Sequence, residues 1–112
     1  MLLAFVTIQP RPGDAGKLID VLDSMCALRA TDADCLGCHL MVEAGENPAV
    51  RYLERWRNRE ALDRHLRSSL YGRVLEAMEL SAQPPGVEFL EVLNAGGLEV
   101  VEQARLHRLA AR

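Results

Sequence analysis

Apolar residues fall at two spacings along this chain, and the order in which the spacings alternate predicts the fold. Residues 2–9 read as a strand, with Leu2, Ala4, Val6 and Ile8 on one face and Leu3, Phe5, Thr7 and Gln9 on the other. Pro10-Arg11-Pro12-Gly13 stops it, because proline cannot continue a ladder and glycine relaxes the turn. Asp14 then stands where a helix cap belongs, ahead of a helical stripe of Leu18, Val21, Leu22, Met25 and Leu28. Cys26 lies beside that stripe, and Arg29 near its end suits the helix dipole.

Residues 35–43 form a second strand, on which strict alternation puts Leu36, Cys38, Leu40 and Val42 opposite Cys35, Gly37, His39, Met41 and Glu43. A polar turn at 45–48 leads into a third strand over 49–56, with Val50, Tyr52, Glu54 and Trp56 on one face. Asn58 caps the next helix, Glu60 occupies its first turn, and Ala61, Leu62, His65 and Leu66 make its inward side. Ser68 or Ser69 recaps the chain, and Leu70, Val74, Leu75 and Met78 carry a second helical piece to about Leu80. Pro84-Pro85-Gly86 ends it, and residues 87–93 form a fourth strand. The tail beyond a turn at 94–97 is rich in helix formers and is expected to be helical.

This β-α-β-β-α-β order predicts an α+β, ferredoxin-like domain over residues 1–93, with an antiparallel sheet and helices on one face, and an extension over 94–112. Strands one, two and four carry apolar groups on both faces. Two sheets packed face to face in a homodimer are therefore expected, with the tail free to cross onto the partner.

Composition narrows the function. At 112 residues there is room for one small domain, and an apolar fraction of 49% with only 4% aromatics leaves Leu, Val, Met and Ala to fill its core. A net charge of -3 with no long basic run argues against nucleic-acid binding. The apolar start is too short to insert in a membrane and lacks the features of a signal, and three cysteines, an odd number, suit a reducing compartment. Both point to the cytoplasm.

The hairpin and helix pair carry the chemistry-bearing residues, in CLGCHLMVE, YLERWRNREALDRHLRSSLYGRVLEAMEL and PPGVEF. These segments resemble the antibiotic biosynthesis monooxygenase family, including its quinol monooxygenase branch. The likeness rests on a strand ending in Trp56, then Glu60, Ala61-Leu62, His65-Leu66, Ser68 and Tyr71. The resemblance implies a dimeric α+β barrel with a pocket between sheet and helices in each protomer. It also implies oxidation of a quinol or polyphenol-like aromatic by O2, with no metal or other cofactor.

Such chemistry needs an apolar cavity and a polar group that favours the deprotonated aromatic, since the anion gives up an electron more readily. In that reading His65 is the base or oxyanion partner, Tyr71 a hydrogen-bond donor, and Trp56, His65 and Tyr71 together line the substrate site. The family's haem-degrading branch uses a first-strand asparagine, which this chain lacks, so haem degradation is set aside. The competing reading is a non-catalytic small-molecule-binding dimer of the same fold.

Cys35-Leu36-Gly37-Cys38-His39 spells the attachment signature of c-type haem, but it opens a strand rather than a helix, and no second cysteine pair completes a zinc site. Packing suits Cys38, whereas Cys35 is open to a thiol or ligand-facing role and His39 to the dimer interface or a cavity mouth.

Overall fold

Strand β1, Leu2–Ile8, shows what its alternation does. In the computed structural model Leu2, Ala4, Val6 and Ile8 are buried, while Leu3, Phe5 and Thr7 are only half-buried. The structure describes residues 1–110, with side chains described as far as His107. Helix α1 (Ala15–Arg29) follows, then β2 (Cys35–Val42), β3 (Val50–Trp56) and α2 (Arg59–Arg67). A single 3-10 turn at Ser69–Tyr71 leads into α3 (Gly72–Met78), β4 (Gly86–Glu91) and α4 (Leu98–Ala110). The strands form one sheet in the order β2-β3-β1-β4, antiparallel at every pairing. This is the predicted α+β ferredoxin-like architecture.

The buried positions of β1 and β3 share the face that the helices cover. Leu18, Leu22 and Met25 of α1, with Val74 and Ala77 of α3, pack on Val6, Ile8, Val50 and Tyr52. A second cluster at the other end of the same face joins Leu2, Ala4 and Trp56 to Ala61 and Leu62 of α2. Each large side chain fully buried in this way stabilises the fold by about 1.5–3 kcal/mol. Truncating one of them, as in Leu22→Ala, costs about 2–5 kcal/mol.

Local chemistry sets the helix ends. Asn58 Oδ1 accepts from the Ala61 amide at 2.9 Å, and Ser68 Oγ accepts from the Tyr71 amide at 3.3 Å. Asp14 holds the cap position of α1 differently from expectation. Its side chain makes no cap bond, and its carbonyl accepts from the Leu18 amide at 3.0 Å. Leu75, placed in the inward stripe by its spacing, is exposed, because the chain restarts after the 3-10 turn with Val74 and Ala77 inward.

Strict alternation fails in β2. The pairing with β3 slips between Cys35 and Gly37, so that Cys35 lies opposite Trp56 and Gly37 opposite Arg55. One extra residue is taken up there as a bulge. The bulge forms over Gly37, where a Cβ would sit 2.6 Å from Arg55 Nη2, and the same guanidinium donates to the Leu36 carbonyl at 2.9 Å. Cys35 and Cys38, expected on opposite faces, therefore both face the helices.

Strand β4 is exposed along its whole length, including Val87 and Phe89 on the helix-facing side and Leu90 on the outer side. Residues 98–107 of α4 are likewise exposed throughout. With that helix standing away from the sheet, the radius of gyration is 17.1 Å, against about 13 Å for a compact chain of this length. Among the described residues no helix is long and apolar enough to cross a membrane.

Candidate functional site

The helix-facing row of β3 runs Val50, Tyr52, Glu54, Trp56, and a carboxylate in such a row must find donors or stay neutral. Glu54 is 1% exposed and has three donors. Tyr52 Oη donates to its Oε2 at 2.5 Å, and Trp56 Nε1 donates to its Oε1 at 3.2 Å. His65 Nε2 lies 2.9 Å from Oε2. Taking a carboxylate out of water costs several kcal/mol, and three donors on two oxygens offset much of that cost.

His65 reaches Glu54 because α2 turns its inward side, Ala61, Leu62 and His65, onto the sheet end that carries Trp56. The imidazole stacks on the Trp56 ring at 4.8 Å and 27°, and meets the Tyr71 ring edge-on at 5.2 Å and 81°. Its second nitrogen, Nδ1, lies 3.2 Å from Arg29 Nη1. A guanidinium can only donate, so Nδ1 accepts. The ring hydrogen therefore sits on Nε2 and points at Glu54. Arg29, His65 and Glu54 form a chain from the end of α1 through α2 to the centre of the sheet.

Burial, and after it the Glu54 charge, pushes the ionisation of Tyr52 and of Tyr71 above the ordinary tyrosine value. Both hydroxyls stay protonated at neutral pH, as Tyr52 must to donate to a carboxylate. Arg29 Nε is buried without a hydrogen-bond partner, although Nη1 also stands 3.8 Å from Asp32 Oδ2.

Trp56, His65 and Tyr71 are thus brought together as the sequence suggests, packed ring against ring. Two cavities flank them, walled by other residues. One, of about 320 Å³, lies between α2 and β4, against Leu2, Leu62, Leu66 and Phe89, with Arg59 and Glu91 at its polar side. The other, of about 280 Å³, lies between the end of α1 and the start of β2, with Arg29 and all three cysteines in its wall. Burial raises the ionisation of each cysteine above the ordinary thiol value, so all three are neutral thiols near pH 7. His39 pairs with Leu53 on the outer face and is exposed, away from this group.

Sequence reasoning passed over Glu54, Tyr52 and Arg29. The signal was present for Glu54, as the one charged residue in a row of Val50, Tyr52 and Trp56. For Arg29 there was none, because a basic residue in a last helical turn has an ordinary electrostatic explanation.

Residues 1–77 match the family described as antibiotic biosynthesis monooxygenase. The chain belongs to that family. Solved structures agree in fold. Rv0793 from Mycobacterium tuberculosis superposes with a TM-score of 0.74 at 27% identity, covering 86% of this chain and 98% of that one. PA3566 from Pseudomonas aeruginosa gives a TM-score of 0.70 at 27% identity, over 83% and 94% of the two chains. A structure described as an antibiotic biosynthesis monooxygenase, 18% identical, gives 0.72 over 84% and 100%. Among curated proteins, none matches the chain. Within the matched region lie the whole Arg29–His65–Glu54 chain, Trp56 and Tyr71, so the buried network belongs to the family domain rather than to the tail.

Proposed function

We propose that this family member is a cytoplasmic, cofactor-independent monooxygenase that oxidises a quinol or polyphenol-like aromatic with O2. The observation that carries the reading is the buried chain in which Arg29 donates to His65 Nδ1 while His65 Nε2 bonds Glu54. A quinol entering by the cavity beside Arg29 takes over Nδ1 and gives its hydroxyl proton to His65. The imidazolium is then held by Glu54, and Arg29, released from the ring, pairs with the quinol oxyanion.

The anion passes one electron to O2, and the radical and superoxide join at a ring carbon. Loss of the ring hydrogen and cleavage of the O–O bond expel one water and leave a hydroxyquinone. One quinol and one O2 thus give one hydroxyquinone and one water. The role of the protein in this sequence is to hold the anion and keep water from the radical pair.

The chain is proposed to act as a homodimer. Leu3 and Leu90 pair on the outer face beside Phe5, and Leu53 and Met41 extend that apolar surface across β3 and β2. A second sheet covering this face accounts for its composition. The tail helix, exposed in the single chain, is proposed to pack on the partner.

Oxygen consumption by purified protein with a panel of reduced quinones tests the reading. Uptake is expected to fall by about two orders of magnitude in His65→Gln, the loss typical of removing a general base, while quinone binding is kept. Absence of uptake with every quinol overturns it. The competing reading, a non-catalytic binding dimer, is favoured by one observation, that both His65 nitrogens already have protein partners. It predicts tight aromatic binding without uptake.

A further inference from the structure

The reaction sequence makes no use of the cysteines, yet Cys38 on the helix-facing side of β2 meets Cys26 of α1. Cys26 Sγ on α1 and Cys38 Sγ on β2 lie 2.8 Å apart, closer than two sulfurs rest in van der Waals contact, and both are free thiols. Side chains from two different elements converge here, so a bond between the two sulfurs would tie α1 to β2. Cys35 lies in the same cavity wall but is turned away, its thiol directed at the Gly37 carbonyl at 3.5 Å. Among the described residues no group of three or more His, Cys, Asp or Glu is spaced to hold a metal ion. The arrangement is a dithiol with a third cysteine beside it.

We propose that Cys26 and Cys38 are a redox-modification site, at which a hydroperoxide entering the Arg29 cavity converts the two thiols to an intrachain disulfide. The Cys26 sulfur attacks the peroxide. An S–O bond forms, the O–O bond breaks, and an alcohol or water leaves with a proton. The Cys38 sulfur then displaces the sulfenic oxygen, so that an S–S bond forms, the S–O bond breaks and water departs with the remaining proton. The two thiols lose two electrons and the peroxide gains them.

Cys26 acts first because burial and the neighbouring Cys26 sulfur drive the ionisation of Cys38 far upward, whereas for Cys26 the bond to Cys38 opposes the effect of burial. The thiolate is the reactive form, so the reaction is slow near neutrality and accelerates with pH. Its structural result is a staple from α1 to the edge strand β2. Arg29 stands one turn beyond Cys26, so the staple fixes the turn that presents the guanidinium to His65.

Mass spectrometry of the full chain treated with hydrogen peroxide, with no quinol present, tests the site independently of the oxygenase reading. The expected product has lost two hydrogens, titrates one thiol instead of three, runs as a single chain without reductant and reverts with dithiothreitol. Cys35→Ser is expected to form the same link, and Cys26→Ser and Cys38→Ser to form no intrachain link. A link that persists in Cys38→Ser, a crosslink between chains, or three thiols left intact in the oxidised wild type overturns the proposal. The wild-type thiol count and the Cys35→Ser peptide map decide the matter even where a serine at position 26 or 38 prevents folding.

Discussion

Glu54 on β3 and His65 on α2 meet at 2.9 Å across the boundary between sheet and helix, each almost wholly withdrawn from water. The pair ties the second helix to the central sheet through a charged acceptor rather than through apolar contact alone. Glu54→Gln keeps the shape but exchanges one acceptor oxygen for an amide that points donor at donor. Its expected cost is about 1–3 kcal/mol, read as a lower urea midpoint with an unchanged slope.

Trp56→Phe separates the two roles of the indole. The phenyl ring still stacks on His65, but Glu54 Oε1 loses the donor it has at 3.2 Å. A loss of about 1–3 kcal/mol is expected, and the double variant with Glu54→Gln is expected to lose less than the sum, because both changes remove the same bond. A urea-denaturation cycle of the four proteins checks this.

Stability is expected to fall as pH rises above about 9. Burial raises the ionisation of Cys26, Cys35 and Cys38 from an ordinary value of 9.0, and raises that of Tyr52 and Tyr71 from 10.0. Above those ordinary values the unfolded chain gives up protons that the folded chain keeps. The unfolded state therefore binds fewer protons, and stability declines with pH. Below 9 this contribution is fully present. Urea midpoints measured under reducing conditions from pH 7.5 to 10.5 should show the decline, with a shallower slope at its start in a variant lacking all three cysteines.

Leu90→Lys puts a charge beside Leu3 on the outer sheet face without touching the helix-side core. If that face is the dimer seam, the dissociation constant measured by sedimentation equilibrium rises about tenfold or more. A shift smaller than that places the seam elsewhere. Val87→Lys, on the helix-facing side of the same strand, is the matched comparison.

The order of elements was legible because Pro10-Pro12 and Pro84-Pro85 punctuate the chain where the hydrophobic period changes, and because Asn58 caps α2 in the ordinary way. The meeting of Trp56, His65 and Tyr71 was legible as well, since the strand end and the inward side of α2 face one cluster. Two things were not. The role of Glu54 depends on donors from Tyr52, Trp56 and His65, which are assembled only once α2 lies on β3. The facing of Cys35 depends on a slip of one residue, and the slip reflects the room that Gly37 leaves for the Arg55 guanidinium on the neighbouring strand. Alternation counted along one strand has no access to its neighbour.

That slip gives the chain an editable joint. The surplus residue lies at the very beginning of β2, just past the connection from α1, so excising Leu36 straightens the pairing locally and leaves the register from Cys38 onward untouched. Such a shortened chain is expected to keep Cys38 facing Cys26 while altering the lip of the cavity beside them. Access to that opening is in this way separable, by a deletion of one codon, from the buried machinery behind it.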